Sequence, residues 1–391
     1  MEQRYAWRLP SWQQTPERFP WTDPLSPSLG PTREQTRRWL FGLLIVLAGL
    51  PFLSSAFNLG GGILLRGFGV FILLTLGLNI LLGLAGVLDL GYALSFAIGG
   101  YTAAILTNRF GPLQGIGKPL DFTLVLLISA ILAGLFGVLK GTFASRLRGD
   151  YLAVATLALG LMVQQTIVNG SDLTGGSNGL SALPAPHLFG FVLSVPSAQY
   201  YLVFFFVMLA AFASGRLMSY RTGRAWLASS EDETAAQASG VDASRYRLLA
   251  FVFSSAMAGL AGALYASTFG YIDPGMAAFD VSAMMLAMVI LGGAGSVAGA
   301  ILGTLLIYSY DKVIIPQLFA LLSLLWPRGV YIGMVPDIRG TNFFDFGIAL
   351  YLTVLWRARR RKEPTPQAPT PPDEDKLIKP GVPLSPQEKP G

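Results

Sequence analysis

Charged side chains are so sparse along this chain of 391 residues that long apolar stretches separate them. A membrane-spanning helix needs about 20 consecutive apolar residues to cross a hydrocarbon core of about 30 Å. Stretches of that length recur from residue 39 to residue 357. Only 13% of the residues are charged, whereas soluble domains carry about 25%. The sequence therefore predicts a multi-pass membrane protein and excludes a globular enzyme with a single anchor.

The positions of the charges predict an all-α bundle of about ten transmembrane helices. The stretch from Asp280 to Asp311 would form a helix of about 45 Å, which is too long for one crossing. Three glycines interrupt this stretch at residues 292–296, so we expect two short spans with a tight turn between them. The other predicted spans lie between Arg38 and Arg66, Arg66 and Asp89, Asp89 and Arg109, Asp121 and Lys140, Asp150 and Asp172, Ala198 and Leu217, Arg247 and Asp273, and Phe343 and Trp356.

The basic residues predict the orientation of the chain. With ten spans and a cytoplasmic N-terminus, 22 of the 28 Lys and Arg residues fall on the cytoplasmic side, in agreement with the positive-inside rule. We expect a Pro-rich cytoplasmic segment at 1–38, the transmembrane domain at 39–357, and a basic, then Pro-rich disordered tail at 358–391. Both termini are predicted to be cytoplasmic. The net charge of +6 reflects this placement, so no nucleic-acid partner is expected.

Composition also excludes several chemistries. The chain has no cysteine, which excludes thiolate metal sites, disulfides and thiol nucleophiles. It has only one histidine, His187, which is too few for a metal site built from histidines. We expect no metal, no cofactor, no catalytic residue and no enzymatic activity. Ionisable residues well inside the predicted spans are nearly absent. Their scarcity argues against an ion-coupled carrier and favours a small neutral or net-neutral solute.

Small residues recur at a spacing of four in two of the predicted spans, at 258, 262 and 266 and at 295, 299 and 303. This spacing forms a flat stripe on one helix face, where two backbones can touch. Packing within one bundle is the favoured interpretation, and lining of a translocation path or contact with a second subunit stays open. The residues predicted for helix packing are Gly259, Gly262, Gly292, Gly293, Gly295 and Gly299.

Polar residues at two turns are candidates for a substrate path. Asp89 lies at a predicted tight turn, where capping of a helix at the cytoplasmic surface is the favoured role. Residues 174–179 combine three glycines with Ser and Asn, which favours a turn whose backbone N–H groups could bind a carboxylate. The candidate path residues are Asp89, Tyr92, Thr174, Ser177 and Asn178.

The polar, basic stretch at residues 216–247, called loop 216–247 below, carries the pattern of a capped helix. Ser230 and Glu233 have the spacing of a capping box, and the following alanines favour a helix. Gly240 is placed to end it. We predict a helix over Glu231–Ser239 on the cytoplasmic face. A solvated loop helix and a stiff element seated in a groove of another protein both fit this pattern.

These residues resemble a known family. The stretch 223–236, followed by Gly240, resembles the coupling-helix loop of ABC importer permeases. Further matching stretches are 77–83, 147–153, 174–177, 248–251, 258–265 and 289–296. Over about residues 67–310 their order and spacing are similar to those of the LivM-type permeases of branched-chain amino acid ABC transporters.

The resemblance implies a permease subunit of an ABC importer in the bacterial inner membrane, surrounded by membrane lipid. It implies three kinds of partner: a second, LivH-like permease, two cytoplasmic ATPase subunits and an external substrate-binding protein. The chain lacks a GxxxxGKS/T phosphate loop, so ATP hydrolysis is left to the ATPases. The residues expected to contact the ATPases are Arg224, Ser230, Glu233, Ala235, Ala236 and Gly240.

Differences from the family at three motifs leave the solute open. Members often have Ser and His where this chain has Asp89 and Tyr92, an acidic residue where it has Leu161, and Asp where it has Asn178. Branched-chain or other neutral amino acids are the favoured solutes, with urea or another amide as the alternative. A third hypothesis, an ion-coupled carrier, would work without partner subunits.

Overall fold

The computed structural model describes residues 62–107, 120–147, 149–188 and 191–318, together with Gly42, Gly49, Gly347 and Tyr351. All of these except Tyr351 belong to one compact unit, Met1–Leu350. Tyr351 belongs to a second unit, Tyr351–Gly391.

Eleven α-helices make up most of the described part of the chain. In order they are α1 Gly62–Asn79, α2 Tyr92–Thr107, α3 Phe122–Arg146, α4 Asp150–Asn169, α5 Ser171–Thr174, α6 Pro196–Ser219, α7 Arg221–Glu231, α8 Glu233–Ala238, α9 Ala243–Phe269, α10 Phe279–Gly292 and α11 Val297–Ser309. One π-helical turn extends α1 over Ile80–Leu84, and another extends α11 over Tyr310–Ile314. Short 3-10 helices occupy Gly176–Asn178 and Pro274–Ala277.

The described residues include four two-residue strands, of which three lie between α5 and α6 and the fourth follows α9. They are β1 Leu180–Ser181, β2 His187–Leu188, β3 Phe191–Val192 and β4 Tyr271–Ile272. β1 pairs antiparallel with β4, with Leu180 opposite Ile272, and β2 pairs antiparallel with β3. Because β4 follows α9 directly, the first pairing ties this segment to the end of α9.

Six helical segments among the described residues are long and apolar enough to cross a membrane. They are Leu65–Leu84, Phe122–Ala144, Tyr151–Asn169, Pro196–Ser219, Ala243–Phe269 and Val297–Leu318. The shorter apolar helices α2 and α10 coincide with two further predicted spans. The predicted all-α, multi-pass bundle is thus confirmed. The spans expected between Arg38 and Arg66 and at Phe343–Trp356 lie almost entirely outside the described residues, so the count of ten stays a prediction.

Helix α9 is the centre of the bundle and packs along α1, α2 and α3. Lipid supplies no hydrophobic force between helices, so close approach depends on small residues that let backbones touch. Ala258, Gly259 and Gly262 of α9 are all buried at these contacts. A Cβ atom on Gly262 would overlap the carbonyl oxygen of Phe96 in α2, and one on Gly259 would overlap Ala133 in α3.

Helices α10 and α11 also meet through glycine. A Cβ atom on Gly292 would overlap the Gly299 carbonyl, and one on Gly303 would overlap the carbonyl of Met288. The backbones of α10 and α11 are therefore in direct contact, with no room for a side chain between them.

Gly295 lies in the turn between α10 and α11 and not in the predicted stripe of small residues on one helix. Gly293 and Gly295 have φ angles of +108° and +86°, which a residue with a Cβ atom rarely adopts. Gly295 precedes α11, because Ser296 is its N-cap, so Gly295 does not share a helix face with Gly299 as the four-residue spacing suggested. Its N–H group instead donates to Oδ1 of Asn79 over 2.8 Å.

We predict that Gly262→Ala destabilises the bundle by about 1–3 kcal/mol, because the added methyl group overpacks the α2–α9 contact. Gly134→Ala in α3 is the matched control, since the nearest atom to its Cβ would be 3.7 Å away, at ordinary contact distance. That control should be neutral or slightly stabilising, because Ala favours a helix. Thermal unfolding of the purified chain in detergent measures both, and equal midpoints would contradict the packing.

Candidate functional site

Loop 216–247 folds as two helices, and its second helix is capped differently from the prediction. Helix α7 continues to Glu231, and the Ser230 hydroxyl donates to the carbonyl of Leu227 over 2.8 Å. Asp232 is the N-cap of α8 and its Oδ1 accepts from the N–H groups of Thr234 and Ala235. The predicted capping box at Ser230 is therefore wrong. The carboxylate of Asp232 is the better cap, because it also interacts favourably with the helix dipole.

Gly240 ends α8 as expected. It has a φ angle of +85°, and its N–H donates to the carbonyl of Gln237, while the N–H of Val241 donates to that of Ala236. This pair of hydrogen bonds is a Schellman motif. Helix α8 is thus fixed at both ends and is shorter than the predicted Glu231–Ser239.

Trp226 anchors loop 216–247 in the bundle. Its side chain is only 1% exposed and lies in an apolar cluster with Leu81, Leu84 and Phe251. Its Nε1 donates to the carbonyl of Tyr246 over 2.6 Å. The loop is therefore packed against the ends of α1 and α9.

Ser230 contacts the turn that joins α1 to α2. A Cβ atom built on Gly86 would lie 2.8 Å from Cβ of Ser230, so the turn fits only without a side chain. Gly86 also has a φ angle of +66°, which favours glycine. The end of α7 is thus in direct contact with the turn that leads to Asp89.

Arg247 links α8 to two other helices. Its Nη2 donates to Oε2 of Glu233 over 3.1 Å, and its Nη1 donates to the carbonyl of Ala144 at the end of α3 over 3.2 Å. The two charged side chains are only 15% and 21% exposed, so water screens their attraction less than at an open surface. One guanidinium group therefore holds α8, α3 and its own helix α9 together.

Asp89 forms a buried ion pair with Lys140 of α3. The Lys140 Nζ and Asp89 Oδ2 atoms are 2.7 Å apart, and both side chains are fully buried. Asp89 Oδ1 accepts from the N–H of Gly91, which precedes α2, whereas the N–H of Ala93 in the first turn of α2 donates to Ser282, so the carboxylate stabilises the turn and the expected helix cap is wrong. Nor does it lie at a surface, because its side chain is fully buried against Lys140, whose Nζ lies over the rings of Tyr92 and Phe251. Asp89 lies in the turn before α2 and Lys140 lies near the end of the span Phe122–Ala144, so the pair does not contradict the expectation that ionisable residues well inside the spans are nearly absent.

The structure does not bring the five candidate path residues together. Near the start of α4, Thr156 Oγ1 accepts from the N–H of Leu90, the residue that follows Asp89. Near its other end, Thr174 Oγ1 donates to the carbonyl of Ile167. Thr156 and Ile167 are about 16 Å apart along the helix. Tyr92 is fully buried and donates to the carbonyl of Leu74, whereas Ser177 and Asn178 are exposed beyond α4.

The predicted ATPase-contact residues divide into an outward and an inward set. Arg224, Ala235 and Gly240 are exposed, while Ser230 and Glu233 are half-buried against the bundle and Ala236 is buried. Sequence reasoning missed Trp226 and Arg247, which join this loop to the helices, and Lys140, which forms the ion pair with Asp89. A lone Trp in a basic loop and a Lys near the end of an apolar stretch were available signals.

A third buried charge lies at the opposite end of α1. Arg66 is 9% exposed; its Nη1 donates to the carbonyl of Thr268 over 2.7 Å and also to the side chain of Gln199. These partners belong to α9 and α6, so Arg66 joins three helices at a span boundary.

The fold and the loop define a multi-pass helical membrane protein with a polar loop fixed against one end of the bundle. Residues 62–335 match the family described as "Branched-chain amino acid transport system / permease component". The chain belongs to this permease family.

Individual relatives agree with the family assignment. The high-affinity branched-chain amino acid transport system permease protein LivM of Escherichia coli is 32% identical over 81% of this chain and 80% of its own length. A probable branched-chain amino acid transport permease protein LivM of Methanocaldococcus jannaschii is 28% identical over 61% and 76%. The permease protein LivH of Salmonella typhimurium is 27% identical over 72% and 96%. No solved structure gives a significant match.

The buried ion pair yields a double-mutant prediction. Asp89→Asn, which keeps the acceptor for Gly91, and Lys140→Met, which keeps the length of the stem, each leave one charge buried without its partner. Each should lower the free energy of unfolding by about 3–5 kcal/mol, whereas the double variant should lose far less than the sum. Thermal unfolding in detergent measures the cycle, and additive losses would show that the two charges do not interact.

Proposed function

We propose that this chain is the permease subunit of an ATP-driven importer that moves branched-chain or other neutral amino acids into the cytoplasm. The observation that carries the proposal is the family match over residues 62–335. The relatives described above are all named for branched-chain amino acid transport, which favours amino acids over urea or another amide.

The proposed partners follow from the same relatives. Both a LivM and a LivH permease of Escherichia coli are similar to this chain, which supports a pairing with a second, LivH-like permease. Two cytoplasmic ATPase subunits would supply the energy, and an external substrate-binding protein would deliver the solute. The complex would lie in the bacterial inner membrane, with segments 1–38 and 358–391 and loop 216–247 on the ATPase side.

Loop 216–247 is proposed to transmit the movement of the ATPases. Helix α8 and the turn that ends it offer the exposed small residues Ala235 and Gly240 to a partner surface. A displacement of α8 would reach α3 and α9 through the Glu233–Arg247 ion pair. A displacement of α7 would reach the turn before α2 through the contact of Ser230 with Gly86.

We predict that Glu233→Ala lowers ATP-driven uptake by about tenfold while ATP hydrolysis by the complex continues. The substitution removes the ion pair that joins α8 to the bundle but keeps the Asp232 cap. Uptake and hydrolysis are measured on the same reconstituted complex, so that uncoupling appears as less solute taken up per ATP hydrolysed.

Arg245→Ala is the matched control for Glu233→Ala. Arg245 forms an ion pair with Asp242 in the same loop, but its side chain is 84% exposed, so the pair contributes little. The control should transport normally. Normal, coupled uptake by Glu233→Ala as well would contradict the proposed role of α8.

Competition for uptake tests the solute class. Unlabelled leucine, isoleucine or valine in excess should abolish uptake of labelled leucine by the complex, while urea at the same concentration should leave it unchanged. Competition by urea alone would favour the amide permease and overturn the amino-acid assignment.

A further inference from the structure

The outward face of α4 changes character along the helix. Its exposed side chains recur at helical spacing, and the first ones are apolar, such as Tyr151 and Val154. In the last two turns the exposed positions include the amides of Gln165 and Asn169. Gln165 Nε2 donates to Asn169 Oδ1 over 3.2 Å, so the two amides lie side by side. We call this pair the α4 amide face.

Among the described residues, the outward faces of α3 and α6 at this end of the bundle carry no exposed amide. Helix α3 begins where α4 ends, and its exposed residues there include Leu124 and Leu127. Helix α6 also begins at this end, with Tyr201 and Phe205 exposed. Its own amide, Gln199, is buried against Arg66. Of these three helices, α4 alone has exposed amides among the described residues.

An outward amide is poorly suited to lipid. Gln165 lies about 6 Å inside the end of α4, and a polar group facing hydrocarbon is costly unless protein or water satisfies it. Each amide offers two donors and one acceptor oxygen with two lone pairs, so the mutual hydrogen bond leaves most of this capacity unused. The face is thus suited to water or a polar solute.

The polar surface continues beyond the helix. Thr174 Oγ1 donates to the carbonyl of Ile167 and so fixes the following 3-10 turn against α4. Ser177 and Asn178 in that turn are exposed. Asp172 and Leu173, between α4 and this turn, are exposed as well. The amides and hydroxyls at this end can donate to a carboxylate and accept from an ammonium group.

We propose that the α4 amide face forms one wall of the water-filled path that a zwitterionic neutral amino acid crosses, with the second permease subunit as the opposite wall. The proposal rests on the proposed function and adds the location of the path and the residues that contact the solute. Uncharged amides suit a zwitterion, because they bind both of its charged groups without a net charge that would hold it.

Cysteine accessibility tests the proposal directly, because the chain has no cysteine of its own. Gln165→Cys is compared with Leu127→Cys, which lies at a similar depth on the outward face of α3 and is 56% exposed. Each variant is treated in the reconstituted complex with a membrane-impermeant, water-soluble methanethiosulfonate reagent. Because only the thiolate reacts, a residue facing water should be labelled at least about tenfold faster than one facing lipid. Excess leucine should slow the labelling of Gln165→Cys.

Uptake by the double variant Gln165→Leu/Asn169→Leu gives a second readout. If the face contacted lipid, leucine would be tolerated or favoured, whereas loss of the solute's hydrogen bonds should lower leucine uptake by about tenfold or more. Slow labelling of Gln165→Cys, labelling that leucine does not affect, or full uptake by the double variant would each overturn the proposal. Failure of the proposed function would instead appear as no ATP-driven leucine uptake by the unsubstituted complex.

Discussion

The close backbone contacts of α9 with α2 and α3 are the constraint on which the rest of the bundle depends. At Gly262 and Gly259 there is no space for even a methyl group, and in lipid such contacts replace the hydrophobic force that packs soluble helices. Helix α9 begins at Ala243, within loop 216–247, and carries Arg247, which holds α8 and α3. A movement of the loop would therefore act on tightly packed helices and not on a flexible connection.

The sequence predicted the features that depend on local pattern. The spans followed from the spacing of charges, and the end of α8 followed from Gly240, because both are set by neighbouring residues. The cap of α8 was misplaced because Ser230 and Asp232 are both good N-caps, and only the continuation of α7 decides between them. The Asp89–Lys140 pair joins residues far apart in sequence, so the packing of α2 against α3, which no local pattern shows, was needed to find it.

The electrostatics of the bundle fit transport of a net-neutral solute. Asp89 and Lys140 neutralise each other inside the helices, and Arg66 is bonded to a carbonyl and an amide. These interactions fix charges to their neighbours, so they serve packing in the described part of the chain. The polar groups that face outward within α4 include the neutral amides of Gln165 and Asn169, which are suited to a zwitterion that must bind and then leave.

The measurement that tests the central claim most directly is purification of this chain through a tag, followed by leucine uptake in proteoliposomes with and without ATP. The account predicts that a second permease and two ATPase subunits are recovered with the chain. It also predicts that, with the external binding protein present, uptake requires ATP. A chain that is purified alone and moves leucine without ATP would contradict the account and would restore the ion-coupled carrier.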